Sequence, residues 1–115
     1  MDESMFVKVF GNYPQVKVLD FLIENDIFDY SKTQIAELSD VSFNTLETFW
    51  SKLIETGIVK ASRRVGNSQM YQLNKDNPAV KKMLEIDKNL MLLSMAEDAE
   101  SPVASKQKAK YKIPA

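Results

Sequence analysis

The chain contains no histidine and no cysteine, so any chemistry falls to carboxylates, amines, amides and hydroxyls. Disulfides, thiolate metal sites, cysteine nucleophiles and histidine-based acid–base schemes are excluded. No dense carboxylate cluster, nucleophile–base pair or glycine-rich phosphate loop stands out, so the chain reads as a non-enzyme with no cofactor and no metal. Met83, Met91 and Met95 recur at helical spacing and read as apolar filler. The remaining polar groups suit recognition better than catalysis. Phe43, Asn44, Glu47 and Thr48, with Ser51 further along, share one face if the segment is helical. In a DNA major groove, Asn44 would bond adenine bidentately and Glu47 would accept from cytosine. Phe43 or Thr48 would touch a thymine methyl. In the same arrangement Lys32, Thr33, Ser42 and Lys52 would contact phosphate, as would Arg63, Arg64 and Asn67 near a turn. No arginine lies on the reading face for guanine, which points to A·T-containing sites.

These residues need a scaffold, and the apolar spacing supplies one. Met5–Phe10 is short and apolar and fits a strand or a helical arm equally. Asn12 is a candidate cap for the next helix, and Pro14 fits its first turn. From Gln15 to Asn25, Val16, Leu19 and Ile23 share a face flanked by Val18 and Leu22, as in a strongly buried helix. Asp26–Tyr30 is a link. Ser31-Lys32-Thr33-Gln34 matches a capping box, with Tyr30 and Ile35 at the hydrophobic-staple positions. That helix is short and ends at Ser39-Asp40. Ser42 caps a third helix, in which Leu46, Phe49, Trp50, Leu53 and Ile54 form one stripe and Gly57 takes the C-terminal cap. Ile58–Arg64 and Gln69–Leu73 read as a hairpin turning at Val65–Ser68. Asn77-Pro78 opens a long helix to about Glu97.

The turn Leu38-Ser39-Asp40-Val41 is tight, and the residues around it match a helix-turn-helix. Ala36 lies at the closest helix approach, and Ile35, Val41 and Leu46 fill the space between the helices. Asp40 occupies a position that needs positive φ, which Asp and Asn tolerate better than most residues. Thr33-Gln-Ile-Ala-Glu-Leu-Ser-Asp-Val-Ser-Phe-Asn-Thr-Leu resembles the helix-turn-helix of bacterial and archaeal winged-helix transcriptional regulators. The run Pro14–Leu22, and Leu53–Lys60 followed by a basic hairpin, are similar to small archaeal members. The resemblance covers about residues 10–77 and departs from the pattern in having Asp40 instead of glycine. It implies a three-helix core with a wing, and a third helix that enters the major groove.

The expected fold is therefore α+β, mainly α: a winged helix with a long added C-terminal helix. Residues 1–11 form an N-terminal arm, 12–77 the winged domain, 78–98 a dimerisation helix and 99–115 a disordered basic tail. The formal net charge of −1 hides an uneven distribution. Four lysines and no acid fall in the last fifteen residues, and Ser31–Lys75 holds six bases against four acids. This is a weak electrostatic footprint for a DNA-binding protein. The 78–98 helix carries more apolar residues than one side of a small domain can cover: Val80, Met83, Leu84, Ile86, Leu90, Met91 and Leu93, with Met95 beyond. A homodimer through them would set two reading helices on one side of a duplex. The chain lacks a signal-like start and any bilayer-length apolar run, so the expected location is cytoplasmic, with no membrane partner. The partner expected is double-stranded DNA; the alternative is a module that docks a protein partner without reading DNA.

Overall fold

The computed structural model describes residues 3–98; the tail expected over 99–115 lies outside the described residues. The chain opens with a helix, α1 (Met5–Phe10), which resolves the ambiguity of that apolar segment. The Ser4 hydroxyl caps it by accepting from the Val7 amide and itself donates to Asp20 Oδ1 at 2.8 Å. Phe6 and Val7 are buried. Helix α2 (Pro14–Glu24) follows with Pro14 in its first turn. Its cap position is Tyr13, not the expected Asn12, and no side chain caps it. Proline removes one of the orphan amides there. The buried line of α2 is Val18, Leu22 and Ile23, with Val16 and Leu19 only half-buried beside it. The inner face is thus rotated from the expected Val16–Leu19–Ile23, because α1 and later elements cover the helix from one side.

Tyr30–Ser31 forms a two-residue strand, β1, where a plain link was expected. Helix α3 (Lys32–Leu38) starts with the capping box complete: Ser31 Oγ accepts from the Gln34 amide, and Gln34 Oε1 accepts from the Ser31 amide. Asp40 stands at φ +59 in the turn that follows, and the Val41 amide closes back onto the Ala36 carbonyl at 2.9 Å. Helix α4 (Phe43–Glu55) is capped by Ser42 and buries Leu46, Phe49, Trp50 and Leu53. Ile54, placed on that stripe by spacing, is exposed. Gly57 at φ +73 ends the helix, with the Gly57 amide on the Ile54 carbonyl and the Ile58 amide on that of Leu53. This is the paired C-terminal closure that favours glycine.

Strands β2 (Val59–Val65) and β3 (Ser68–Leu73) make the hairpin. Val65 and Ser68 are paired residues, so the turn is Gly66-Asn67 alone. Gly66 at φ +60 takes its first position, as a two-residue turn matched to strand twist requires. The sheet order is β1-β3-β2, all antiparallel. Helix α5 (Pro78–Asp98) begins where Asn77 Oδ1 accepts from the Ala79 amide. The Asn77 side-chain amide also donates to the Gly57 and Thr56 carbonyls, tying this start to the end of α4.

Val18, Leu22, Ile35, Leu46, Val59, Leu73 and Val80 are fully enclosed in one core drawn from every major element. Each enclosed leucine contributes about 2–3 kcal/mol by burial. This core sets the angle between α3 and α4 and carries the hairpin against them. Val80 corrects an expectation: it belongs to the monomer's own core and is closed to any partner. Met83, Leu84 and Leu90 pack half-buried against the same cluster.

Candidate nucleic-acid interface

The helix-turn-helix is held at its turn from outside. Lys17 of α2 donates to the Asp40 carbonyl at 2.9 Å, with the Asp40 carboxylate 3.6 Å away. Beyond the turn, α4 leaves its N-terminal half uncovered on one side. Phe43, Asn44, Glu47, Thr48 and Ser51 are all exposed along it, as their spacing predicts. Ser42 is occupied as the cap, its hydroxyl accepting from the Thr45 amide and donating to Thr45 Oγ1. The Thr48 hydroxyl donates to the Thr45 carbonyl at 2.6 Å.

Lys32 is more enclosed than a phosphate contact would be. Its ammonium lies 2.7 Å from Glu47 Oε2, 5.5 Å from the Phe43 ring centre and 5.7 Å from that of Trp50. Its side chain is only 26% exposed. Two ring faces and a carboxylate hold the charge in place, so Lys32 joins α3 to α4 and fixes Phe43. Trp50 stacks edge-on against Tyr71 of β3 with ring centres 5.0 Å apart, placing the sheet beside α4. A cleft of about 270 Å³ lies between the starts of α3 and α4 and strand β3. Thr33, Phe43, Ser68 and Gln69 help line it.

In the wing, Arg63 donates through Nε and Nη2 to the two oxygens of Asp29, at 2.9 and 3.2 Å. Arg63 Nε and the Ser62 hydroxyl hold the Asp29 carboxyl below the usual carboxylate range. Arg64 instead donates to the Asn67 carbonyl at the turn. Lys52 and Lys60 stand at 4.0 and 3.9 Å from Glu55 and Asp76, loose exposed pairs of small energy. Among the described residues of this face, four of the five bases from Lys32 to Arg64 thus have a carboxylate within 4.0 Å. Sequence reasoning missed both Lys17 and Asp29, since nothing local marks a partner more than twenty residues away.

Elsewhere, α5 exposes Ile86, Met91, Leu92 and Met95, and α1 exposes Val9 and Phe10. Between α1, α2 and α5, burial pushes the carboxyls of Asp20, Glu24 and Asp87 up, and the Asp20 charge adds to the rise at the other two. Among the described residues no group of three or more acids is arranged to hold a metal ion, and no helix is long and apolar enough to cross a membrane.

No protein-family model matches the chain, and no curated protein sequence does. Solved structures do match. The AntR antimony-specific transcriptional repressor is 25% identical with a TM-score of 0.55, over 81% of this chain and 78% of its own. An apo mutant of ZitR from Lactococcus lactis is 17% identical with a TM-score of 0.55, over 83% and 75%. A MarR family transcriptional regulator from Silicibacter pomeroyi DSS-3 is 16% identical with a TM-score of 0.54, over 93% and 77%. The chain thus has the winged-helix fold, mainly helical with a small three-stranded antiparallel sheet and a long C-terminal helix, an architecture it shares with transcriptional regulators.

Proposed function

We propose that this chain is a sequence-specific double-stranded DNA-binding regulator of transcription that acts in the cytoplasm as a homodimer. The observation that carries the reading is the uncovered row on the first half of α4, beside a hairpin wing, on a fold shared with transcriptional regulators. In the major groove, Asn44 would pair with adenine, while Phe43 and Thr48 would meet thymine methyls. Lys32 occupies Glu47 Oε2, which leaves Oε1 to accept from cytosine. Thr33, Ser42, Ser51 and Lys52 would flank the groove, and Arg64 and Asn67 would meet the backbone or minor groove from the wing. The second subunit would cover Ile86, Met91, Leu92 and Met95 of α5 with Val9 and Phe10 of α1. On this reading, residues 10–77 belong to the small archaeal type of winged-helix regulator, which the Pro14–Leu22 and Leu53–Lys60 runs resemble.

The charge balance of the face favours a second reading, a winged helix that docks a protein. Titrating binding to random duplex with salt separates the two. Neutralising Z phosphates gives a log–log slope of about −0.9Z, whereas a protein-docking module binds no duplex even at low salt. Selection from a random duplex pool then yields the preferred site, on which Asn44→Ala should cost ~1–3 kcal/mol and relax one base pair. Unchanged affinity and specificity in that variant would remove α4 from the reading role. A monomeric mass in solution would remove the dimer.

A further inference from the structure

The wing has a weak point in its own ladder. Between Ala61↔Tyr71 and Arg64↔Gln69, β2 has two residues, Ser62 and Arg63, where β3 has only Met70. Such a bulge interrupts pairing and lets the strand bend. The hairpin beyond it, including Arg64 and the Gly66-Asn67 turn, would pivot there if nothing else held it. Side chains take over at this joint. Gln69 Nε2 donates to the Arg63 carbonyl at 3.1 Å from within the hairpin. From outside, Asp29 takes three hydrogen bonds from the two bulge residues: the Ser62 hydroxyl at 2.6 Å, Arg63 Nε at 2.9 Å and Arg63 Nη2 at 3.2 Å.

Asp29 is well placed to hold a load. Its side chain is 16% exposed while that of Arg63 is 67% exposed, so the carboxylate is the fixed end. It directly precedes β1, whose Tyr30 pairs with Tyr71. The Tyr30 ring lies 5.0 Å from Phe21 of α2 and 6.5 Å from Phe28. The loop is therefore anchored to the helical body by aromatic contacts. A bidentate arginine–carboxylate pair adds a fixed direction as well as attraction.

We propose that Asp29 is a positioning residue: it locks the bulge, makes Arg63 a strut between body and wing, and leaves Arg64 and Asn67 as the wing residues that meet DNA. The inference rests on the DNA-binding reading for its last clause only. It opposes the simple electrostatic expectation, since a carboxylate near a polyanion should weaken binding and its loss should strengthen it.

The test uses the full chain and a duplex chosen by selection. Asp29→Ala should weaken binding roughly tenfold, the size expected when an ordered contact must be reordered on association. Arg63→Ala should lose a similar factor, and the double variant should lose no more than either alone. Arg64→Ala should weaken all sequences alike and lower the salt slope by about one. Without DNA, amide exchange at residues 64–69 should speed up in Asp29→Ala and in Arg63→Ala, with the helices unchanged. Equal or tighter DNA binding by Asp29→Ala, additive losses, or unchanged exchange in both variants overturns the strut. If the parent binds no duplex at low salt, the DNA reading falls, and the exchange data still decide whether Asp29 holds the wing.

Discussion

Val80 divides helix α5 into two jobs, and replacing it tests the division. The side chain is 0% exposed within a single chain. Val80→Ala removes two methyl groups from a closed site. Transfer of the lost groups accounts for about 1.6 kcal/mol at ~0.8 per methylene-sized unit. The cavity left behind adds to this, for a total of about 2–3 kcal/mol. Met91→Lys and Met95→Lys alter side chains that lie more than half exposed on the same helix. They should leave the fold of one chain intact and reduce only the association of two. Urea unfolding at protein concentrations a hundredfold apart, with mass measured alongside, reads both quantities. The expected pattern is a lower midpoint for Val80→Ala at every concentration with self-association unchanged, and for the methionine variants a weakened self-association with a midpoint that no longer rises with protein concentration. A Val80→Ala loss below about 0.5 kcal/mol, in the range of ordinary surface substitutions, would refute the placement of Val80 in the core. So would a loss that appears only as weakened association.

Other consequences follow from particular contacts. The Ser39 hydroxyl is buried with no hydrogen-bond partner among the described residues, so Ser39→Ala should raise stability by ~1 kcal/mol, since an unmet buried polar group costs at least that much; a loss of that size in thermal unfolding would show that the hydroxyl is satisfied. Asp20, Glu24 and Asp87 have carboxyls raised by burial. A raised folded-state value makes a contribution that is full below the ordinary carboxylate range and lost as pH rises through the raised values. The melting temperature should therefore gain from these groups as pH falls through their raised values toward the ordinary carboxylate range. Asp20→Asn, which keeps an acceptor for the Ser4 hydroxyl, should reduce that gain; an identical pH profile in the variant would exclude Asp20 as a source. The lowered carboxyl of Asp29 acts oppositely, its contribution being lost as pH falls through the usual carboxylate range toward the lowered value. Glu47→Gln should loosen the Lys32 pair and release a cation onto the exposed face of α4, steepening the salt dependence of duplex binding on the proposed reading; a parallel salt slope would show that Lys32 stays engaged.

Much of the helix-turn-helix was legible because its signals act within a few residues. Ser31 and Gln34 satisfy each other across one helical turn, Ser42 caps within three residues, and Gly57 and Asp40 take positive φ where the chain must reverse. Such bonds form from local geometry whatever surrounds them. The exposed row from Phe43 to Ser51 was legible for the same reason, as helical periodicity alone sets which side chains share a face. Strand β1 was not, because two residues carry no periodic pattern and become a strand only when β3 lies alongside. The rotation of the α2 inner face to Val18 and Leu22, and the enclosure of Val80, depend on which helices cover them. Pairs such as Arg63 with Asp29 and Lys17 with Asp40 join residues far apart in the chain, and the spacing of charges holds no record of such partners. Local backbone chemistry thus specified the capped helices and their turn. Packing decided which charges of the candidate DNA face stay outward, because only the folded chain brings each base near its acid.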